Sequence, residues 1–543
     1  MLRLLLRSHR TGFVIMSVFG MFDVYVNTGA YAQVVGNTEE ARRAFATATQ
    51  PLAAQLSYLL PIPTRLDTVG GYVSWRGYPV IAIGFVIWAV VAGSGLVRGE
   101  EERGLTDVYL ATGVGRLGWI LVRSLAFAAV TAIAVLLTQL ACAAGIAAAG
   151  DAAGQTLSWG ALLGQGVALW AIGLAGFGIT VLLSQLVQTR GGAAGLSAVV
   201  LAVLFFLNSL SRTATTWRGA AHISPFFLFD QTTVLVPGGR FDWVATAVLV
   251  AISVVGIGLS AVAFSLRDLG ASVLGRAGGR GRKRPARRDA ARNPLLRVPV
   301  LATLWEQRWS LLGWIVGSFL LMALIGDVAK SGSSLIEQTP SLRVWLEPGV
   351  APFTAMVSAT WGSIMGLVVA AYAIVQTARW AGQDGTGRLE LTLAQPMSRW
   401  RVVAQRAVEL GAGSLLITVA GTVGLLAAAA GQHETIGGPV WTATFLLLPV
   451  ATAFGAIGGA ISAWLPRIAI GVVSVIAVAA FFIQFFAPIF KAPNWVLNLS
   501  LFQLYGTPLT KPIFWEGFWA LVAVTVVGFG IAVLAMQRRE VGS

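Results

Sequence analysis

The sequence predicts an all-α integral membrane protein made of two tandem six-helix halves, and three observations carry that reading. First, 56% of the 543 residues are hydrophobic and only 11% are charged, whereas a soluble domain carries about 25% charged residues. Second, apolar stretches of roughly 20 residues recur along the chain, each long enough to cross the ~30 Å hydrocarbon core as a helix. Third, one hydrophilic segment occurs twice, each time after a long apolar span. Internal repetition sets the architecture before any single residue does.

In chain order, the twelve expected spans are 12–32, 77–97, 118–148, 158–187, 193–210, 242–265, 310–327, 352–378, 402–431, 440–464, 468–489 and 516–536. Arg3, Arg7 and Arg10, an apolar run and Ala30-Tyr31-Ala32 imitate a secretory signal peptide. The run is long, contains Asp23, and has a counterpart after Leu304-Trp305-Glu306-Gln307-Arg308, so it is read as an uncleaved first span. Residues 1–10 and 298–309 are short, basic and amphipathic, and are expected along the membrane surface. Asn37 with Glu40 resembles a capping box opening an amphipathic helix that runs to about Leu60, where Pro61 and Pro63 stop it. The loop from Ser331 to Pro352 is its weaker counterpart, and neither is large enough for a separate receptor domain. Gly, Pro and like charge around Arg280-Gly281-Arg282-Lys283-Arg284 make 270–300 a linker near anionic lipid, not a nucleic-acid site. The domains are therefore 1–269, the linker 270–300, and 301–543. With these spans, 27 of the 38 Lys and Arg fall on one side, which places both termini in the cytoplasm of a multi-pass protein of the plasma (inner) membrane. The single cysteine, Cys142, cannot form an intrachain disulfide.

The duplicated segment aligns without a gap at an offset of 283: Gly104 on Gly387, Asp107 on Glu390, Leu110-Ala111 on Leu393-Ala394, Arg116 on Arg399 and Arg123 on Arg406. Its acidic start (Glu100, Glu101, Glu102, or Asp384) suits the positive end of a helix dipole, and its basic end suits the other. The two glycines permit the change of direction where the chain leaves the membrane. A second repeat, at an offset of 276, sets Val203 to Asn208 on Ala479 to Gln484 and Ile223-Ser224-Pro225-Phe226 on Leu499-Ser500-Leu501-Phe502. An element with acid, glycine, Leu-Ala and arginine in register twice reads as a docking handle used twice.

These segments resemble the cytoplasmic coupling segment of type-2 ABC exporter permeases, with acidic residues, Gly, an acidic-apolar helix, Leu-Ala and a turn such as Ala394-Gln395-Pro396-Met397-Ser398-Arg399. The first copy departs from the pattern with Gly113 for Pro and Gly115 for Ser. Ser224-Pro225-Phe226 resembles the element after the fifth span of that family, with Leu501 replacing Pro in the second half. The resemblance covers essentially the whole chain and implies two permease halves related by pseudo-two-fold symmetry. The fused form is similar to permeases linked to export of polyketide antibiotics and other lipophilic toxins. It further implies alternating access driven by two copies of a separate ABC ATPase that binds ATP and Mg. This chain has no phosphate-cradling Gly-x4-Gly-Lys-Ser/Thr loop, and no metal-ligand or Ser-His-Asp spacing. ATPase coupling is therefore assigned to Glu100, Glu101, Gly104, Asp107, Arg116, Asp384, Gly387, Glu390 and Arg399.

In the family the first, second and fifth spans of each half line the interface between halves. Here they carry Phe19, Phe22, Asp23, Tyr25, Phe85, Trp88, Phe205, Phe206 and Asn208, then Trp361, Phe481, Phe482, Gln484 and Phe485. An apolar surface with scattered polar groups suits a lipophilic small-molecule cargo, and a carboxyl in mid-span marks a pathway, a cation site or an interhelical pair. Export of lipid or cell-wall precursors, and a proton-coupled secondary transporter using Asp23, remain open alternatives.

Overall fold

The computed structural model describes residues 2–29, 31–55, 57, 60–113, 115–213, 218–269, 271–272, 298–338, 349–385, 398–486 and 493–538. All regular structure among them is helical. Eleven helices among the described residues are long and apolar enough to cross a membrane, and the shorter apolar helix Ile468–Phe481 stands where the remaining expected span lies. The chain is an all-α integral membrane protein. It divides into two compact units, Met1–Lys283 and Arg284–Ser543.

In the first unit, α1 (Leu2–Gly29) is followed by α2 (Glu39–Gln55) and α3 (Val69–Arg76). Then α4 (Tyr78–Ser94) continues through a widened π turn, Gly95–Gly99, into Glu100–Glu102. A short α5 (Leu105–Leu110) leads to α6 (Arg116–Ala149), α7 (Trp159–Leu183), α8 (Arg190–Thr213), α9 (Pro225–Asp230) and α10 (Trp243–Leu266). Helix α1 lies along α6, and α7 lies between α4 and α10. The core centres on Phe127, which stacks on Phe177 at 4.2 Å and meets Trp88 edge-on at 5.2 Å.

The second unit holds α11 (Pro299–Glu306), α12 (Arg308–Gln338), α13 (Pro352–Gly385), α14 (Arg399–Gly431), α15 (Val440–Phe445), α16 (Leu447–Trp464), α17 (Pro466–Phe486) and α18 (Trp515–Arg538). Its pairings repeat the first: α12 along α14, and α16 between α13 and α18. The sequence repeat extends to single hydrogen bonds. Ser224 Oγ donates to the Leu204 carbonyl at 2.7 Å, and Ser500 Oγ donates to the Ala480 carbonyl at 2.7 Å.

Small residues let these helices approach closely. A Cβ on Gly256 of α10 would lie 2.5 Å from the Gly178 carbonyl oxygen of α7. Outward faces are apolar: Leu125, Ile133, Leu136 and Leu140 of α6 are all exposed, which suits a lipid surroundings and not water.

Three expectations need correction. Residues 2–10 belong to α1 itself and not to a separate surface helix, because no breaker separates them from the span; only 299–306 forms a distinct short helix, ended at Gln307. The cap of α2 is Thr38, not Asn37: its Oγ1 accepts from the Ala41 amide at 3.2 Å, as an N-cap does. Residues 331–338, expected in a loop, continue α12, which runs unbroken to Gln338.

Candidate functional site

The first duplicated segment is built on the far end of α4. The three carboxylates do not open the coupling helix α5, as the sequence suggested, but close α4 at Glu100–Glu102. Carboxylates at a helix C-terminus oppose the macrodipole, so compensating charge is needed, and arginines supply it. Arg98 donates from Nη1 to Glu101 Oε2 at 2.7 Å, from Nε to the Ser184 carbonyl at 2.7 Å and from Nη1 to the Ala271 carbonyl at 3.0 Å. Arg267 donates from Nη2 to Glu101 Oε1 at 2.5 Å and from Nε to Gln185 Oε1 at 2.6 Å, while Gln185 Nε2 donates to Ser260 Oγ at 2.9 Å. The side chains of Arg98, Glu101 and Arg267 are 0%, 4% and 1% exposed. This buried triad locks the ends of the second, fourth and sixth spans together.

Glu100 pairs with Arg123 of α6. The Arg123 guanidinium lies 3.7 Å from the Trp119 ring centre and 5.2 Å from that of Tyr109. Glu102 Oε1 accepts from the Arg190 amide at 2.7 Å, which caps α8. Every carboxylate of the run thus has a partner inside its own unit, and Glu101 is enclosed instead of presented to a partner.

Gly104 then turns the chain at φ +66°, its amide donating to the Glu101 carbonyl at 3.0 Å. Helix α5 lies on its own unit through Tyr109 and Leu110, which pack on Trp119, Ile120, Ala261 and Phe264. Its other face carries Leu105, Asp107 and Val108, all exposed. Arg116 closes the segment by donating from Nη1 to the Arg267 carbonyl at 2.7 Å. Arg399 does the same in the second unit, donating from Nη1 to the Met536 and Gln537 carbonyls at 2.8 and 3.0 Å. In both units this arginine ties the start of the third span to the end of the sixth by bonding its last carbonyls. In the second copy Gly387 and Glu390 lie outside the described residues, as does the side chain of Asp384.

The pathway candidates divide. Phe22 and Tyr25 of α1 and Phe206 of α8 are exposed, and Phe19 and Phe205 pack partly against the core. Phe85, Trp88 and Trp361 are buried in the cores of their own units instead of on an open face. Asp23 sits between exposed and buried positions, with its Oδ2 atom enclosed and without a hydrogen bond. Asn208 Nδ2 donates to Asp230 Oδ2 at 2.8 Å, and Asp230 also pairs with Arg212. Phe481 packs partly on the second core, and Gln484 Nε2 donates to Ser363 Oγ at 3.4 Å. The side chains of Phe482 and Phe485 lie outside the described residues.

Sequence reading did not find the partners of Glu101. Arg98 is three residues away, a helical neighbour that was visible, but Arg267 is 166 residues distant. It also missed a network in the second unit, in which Gln307 Nε2 and Arg379 Nη1 donate to Glu409 Oε1 at 2.6 and 2.8 Å, and Gln376 Nε2 donates to Gln307 Oε1 at 2.8 Å.

Each half of the chain also matches a known family. Residues 9–269 match the family model described as ABC-2 family transporter protein. Residues 296–537 match the model described as multidrug efflux system permease Rv1217c, C-terminal domain. The chain is similar to the multidrug efflux system permease protein Rv1217c of Mycobacterium tuberculosis (strain ATCC 25618 / H37Rv), at 24% identity over 572 aligned positions that cover 100% of this chain and 94% of that protein. The first half thus belongs to the ABC-2 transporter family, the second matches an efflux permease model, and the helix pairings are the same in both, which together support a type-2 ABC exporter permease.

Proposed function

We propose that this chain is the membrane subunit of an ATP-driven exporter that moves lipophilic drugs out of the cell by alternating access. The ATPase is a separate chain, present in two copies, each holding ATP and Mg and seated on one copy of the duplicated segment. The membrane is the plasma (inner) membrane, with both chain termini on the ATPase side.

One observation carries the reading. Helix α5 exposes Leu105 and Val108, while its root is clamped through Arg98, Glu101 and Arg267 to the ends of three spans. A docked ATPase that moves α5 therefore moves those spans. Such coupling requires ATP to favour one permease state over the other by differential binding. The lipophilic cargo rests on the efflux description of the similar protein and on the exposed aromatic side chains Phe22, Tyr25 and Phe206.

The test is a paired substitution, Leu105→Asp with Val108→Asp, on the exposed face. Export of a lipophilic fluorescent dye from vesicles is expected to fall at least tenfold, with ATP hydrolysis no longer responding to dye and the melting temperature held within about 2 °C. Normal export by the variant contradicts the coupling role of α5.

A further inference from the structure

The corner at which α11 meets α12 carries an exposed apolar stripe. Val298, Leu301, Trp305 and Trp309 all face outward, the two tryptophans with 53% and 73% of their surface exposed. Steps of three and four residues set them on one face of a helix. The same rhythm continues along the span as Leu312, Val316 and Leu320, which are exposed too. The corner does not interrupt the stripe: the Gln307 amide donates to the Thr303 carbonyl at 3.2 Å, and the Leu311 amide donates to the Gln307 carbonyl at 2.9 Å. The other face of α11 is fastened down, with Leu304 packed on the core and Gln405 Nε2 of α14 donating to Thr303 Oγ1 at 3.0 Å. On an integral membrane protein, an apolar face continuous with that of a span and ending in tryptophan lies against lipid near the headgroups.

Arg308 stands at the middle of that stripe and is exposed. Its guanidinium carbon lies 4.9 Å from the Trp305 ring centre and 5.8 Å from that of Trp309. Its Nη1 donates to the Trp305 carbonyl at 2.9 Å. Among the described residues it enters no ion pair, with Glu306 or with any other carboxylate. Most of its five N–H donors are therefore free, and a guanidinium seated on ring faces presents the planar fork that takes a phosphate by two parallel bonds. An apolar stripe by itself accepts any lipid. An unpaired cation within it favours a lipid of net negative charge. Residues 1–29 contain no tryptophan, so the first unit has no such corner.

The corner is also joined to the interior of its unit. Gln307, next to Arg308, is the hub of the buried network already described: its Nε2 donates to Glu409 Oε1 of α14 at 2.6 Å, and its Oε1 accepts from Gln376 Nε2 of α13 at 2.8 Å. A group that holds Arg308 therefore steadies the start of α12 together with its ties to α13 and α14.

We propose that the α11–α12 corner binds an anionic phospholipid, with its phosphate on Arg308 and its acyl chains along Trp305, Trp309 and Leu312, and that the bound lipid steadies the Gln307 network. The site stands independently of which cargo the protein exports. The experiment is photolabelling of the full chain in phosphatidylcholine nanodiscs doped with a diazirine-bearing phosphatidylglycerol, followed by peptide mass spectrometry. Saturable adducts are expected on residues 298–312, at least fivefold above those from a phosphatidylcholine bearing the same diazirine, and displaced by unlabelled phosphatidylglycerol. Arg308→Gln, and separately Trp305→Leu, are each expected to lower this labelling at least threefold, with the melting temperature in phosphatidylcholine unchanged to about 2 °C. Exchanging phosphatidylcholine for phosphatidylglycerol is expected to raise the melting temperature of the unaltered chain, and to raise that of Arg308→Gln by no more than half as much. Equal labelling by the two lipids, or labelling that neither variant lowers, means ordinary contact with the bilayer and overturns the proposal. Displacement by millimolar inorganic phosphate as complete as by phosphatidylglycerol assigns the corner to a free anion and overturns it as well.

Discussion

Glu101 is the residue on which the candidate site turns. Both its oxygens are taken by buried guanidiniums, from Arg98 and Arg267. Removing its charge leaves two enclosed cations facing each other, and breaking a buried pair from one side costs about 3–5 kcal/mol. Glu101→Gln is therefore expected to lower the melting temperature of the purified chain sharply. Glu100→Gln is expected to cost clearly less, because Arg123 keeps its seat on the Trp119 and Tyr109 rings; equal losses in the two variants contradict the triad as the lock. Gly104 acts differently. Nothing lies within 4 Å of a Cβ placed there, so only its φ of +66° resists substitution. Gly104→Ala is expected to cost about 1–2 kcal/mol, the strain of a left-handed alanine, measured by thermal unfolding. At this scale the sequence revealed the turning glycine, whose conformation is local. It did not reveal Arg267 as the partner of Glu101, because that contact depends on how α4 and α10 pack.

Among elements, α5 is short but restrained at both ends, by Gly104 and by Arg116 on the α10 carbonyls. In the proposed exporter, that combination would let an exposed helix transmit displacement to the spans without unfolding. The spans themselves depend on close approach. Gly256→Leu is expected to abolish correct α7–α10 packing and the yield of monodisperse protein on size exclusion. Gly258→Leu, two residues along and with nothing within 4 Å, is expected to be tolerated; similar behaviour of the two would contradict the crossing. Long apolar runs made the spans legible, since length and hydropathy are properties of the chain itself. Element ends were less legible. Thr38 caps α2 in place of Asn37, and α12 extends to Gln338, because both depend on a few hydrogen bonds and not on composition.

For the whole molecule, the repeat visible in the sequence is a repeat of packing, down to the Ser224 and Ser500 bonds and the carbonyl contacts of Arg116 and Arg399. The two halves are nevertheless unequal. Where Arg123 pairs with Glu100, Arg406 reaches Gln383 Oε1 at 3.5 Å. Arg379 and Glu409 pair in the second half at positions that carry Leu96 and Ala126 in the first. The buried charge that braces the second span is thus placed differently in each half, and the same lesion in the two halves is expected to differ in severity when transport is assayed.

The central claim is that the exposed face of α5 is where the ATPase docks. The most direct measurement is to place a photocrosslinking residue at Val108, which is 64% exposed, and to analyse the irradiated complex by mass spectrometry, with Leu125 of α6 as the lipid-facing control. The account predicts a crosslink from position 108 to an ABC ATPase chain and none from position 125. Crosslinks from position 108 to lipid alone, in a preparation that retains ATP-driven export, would contradict it.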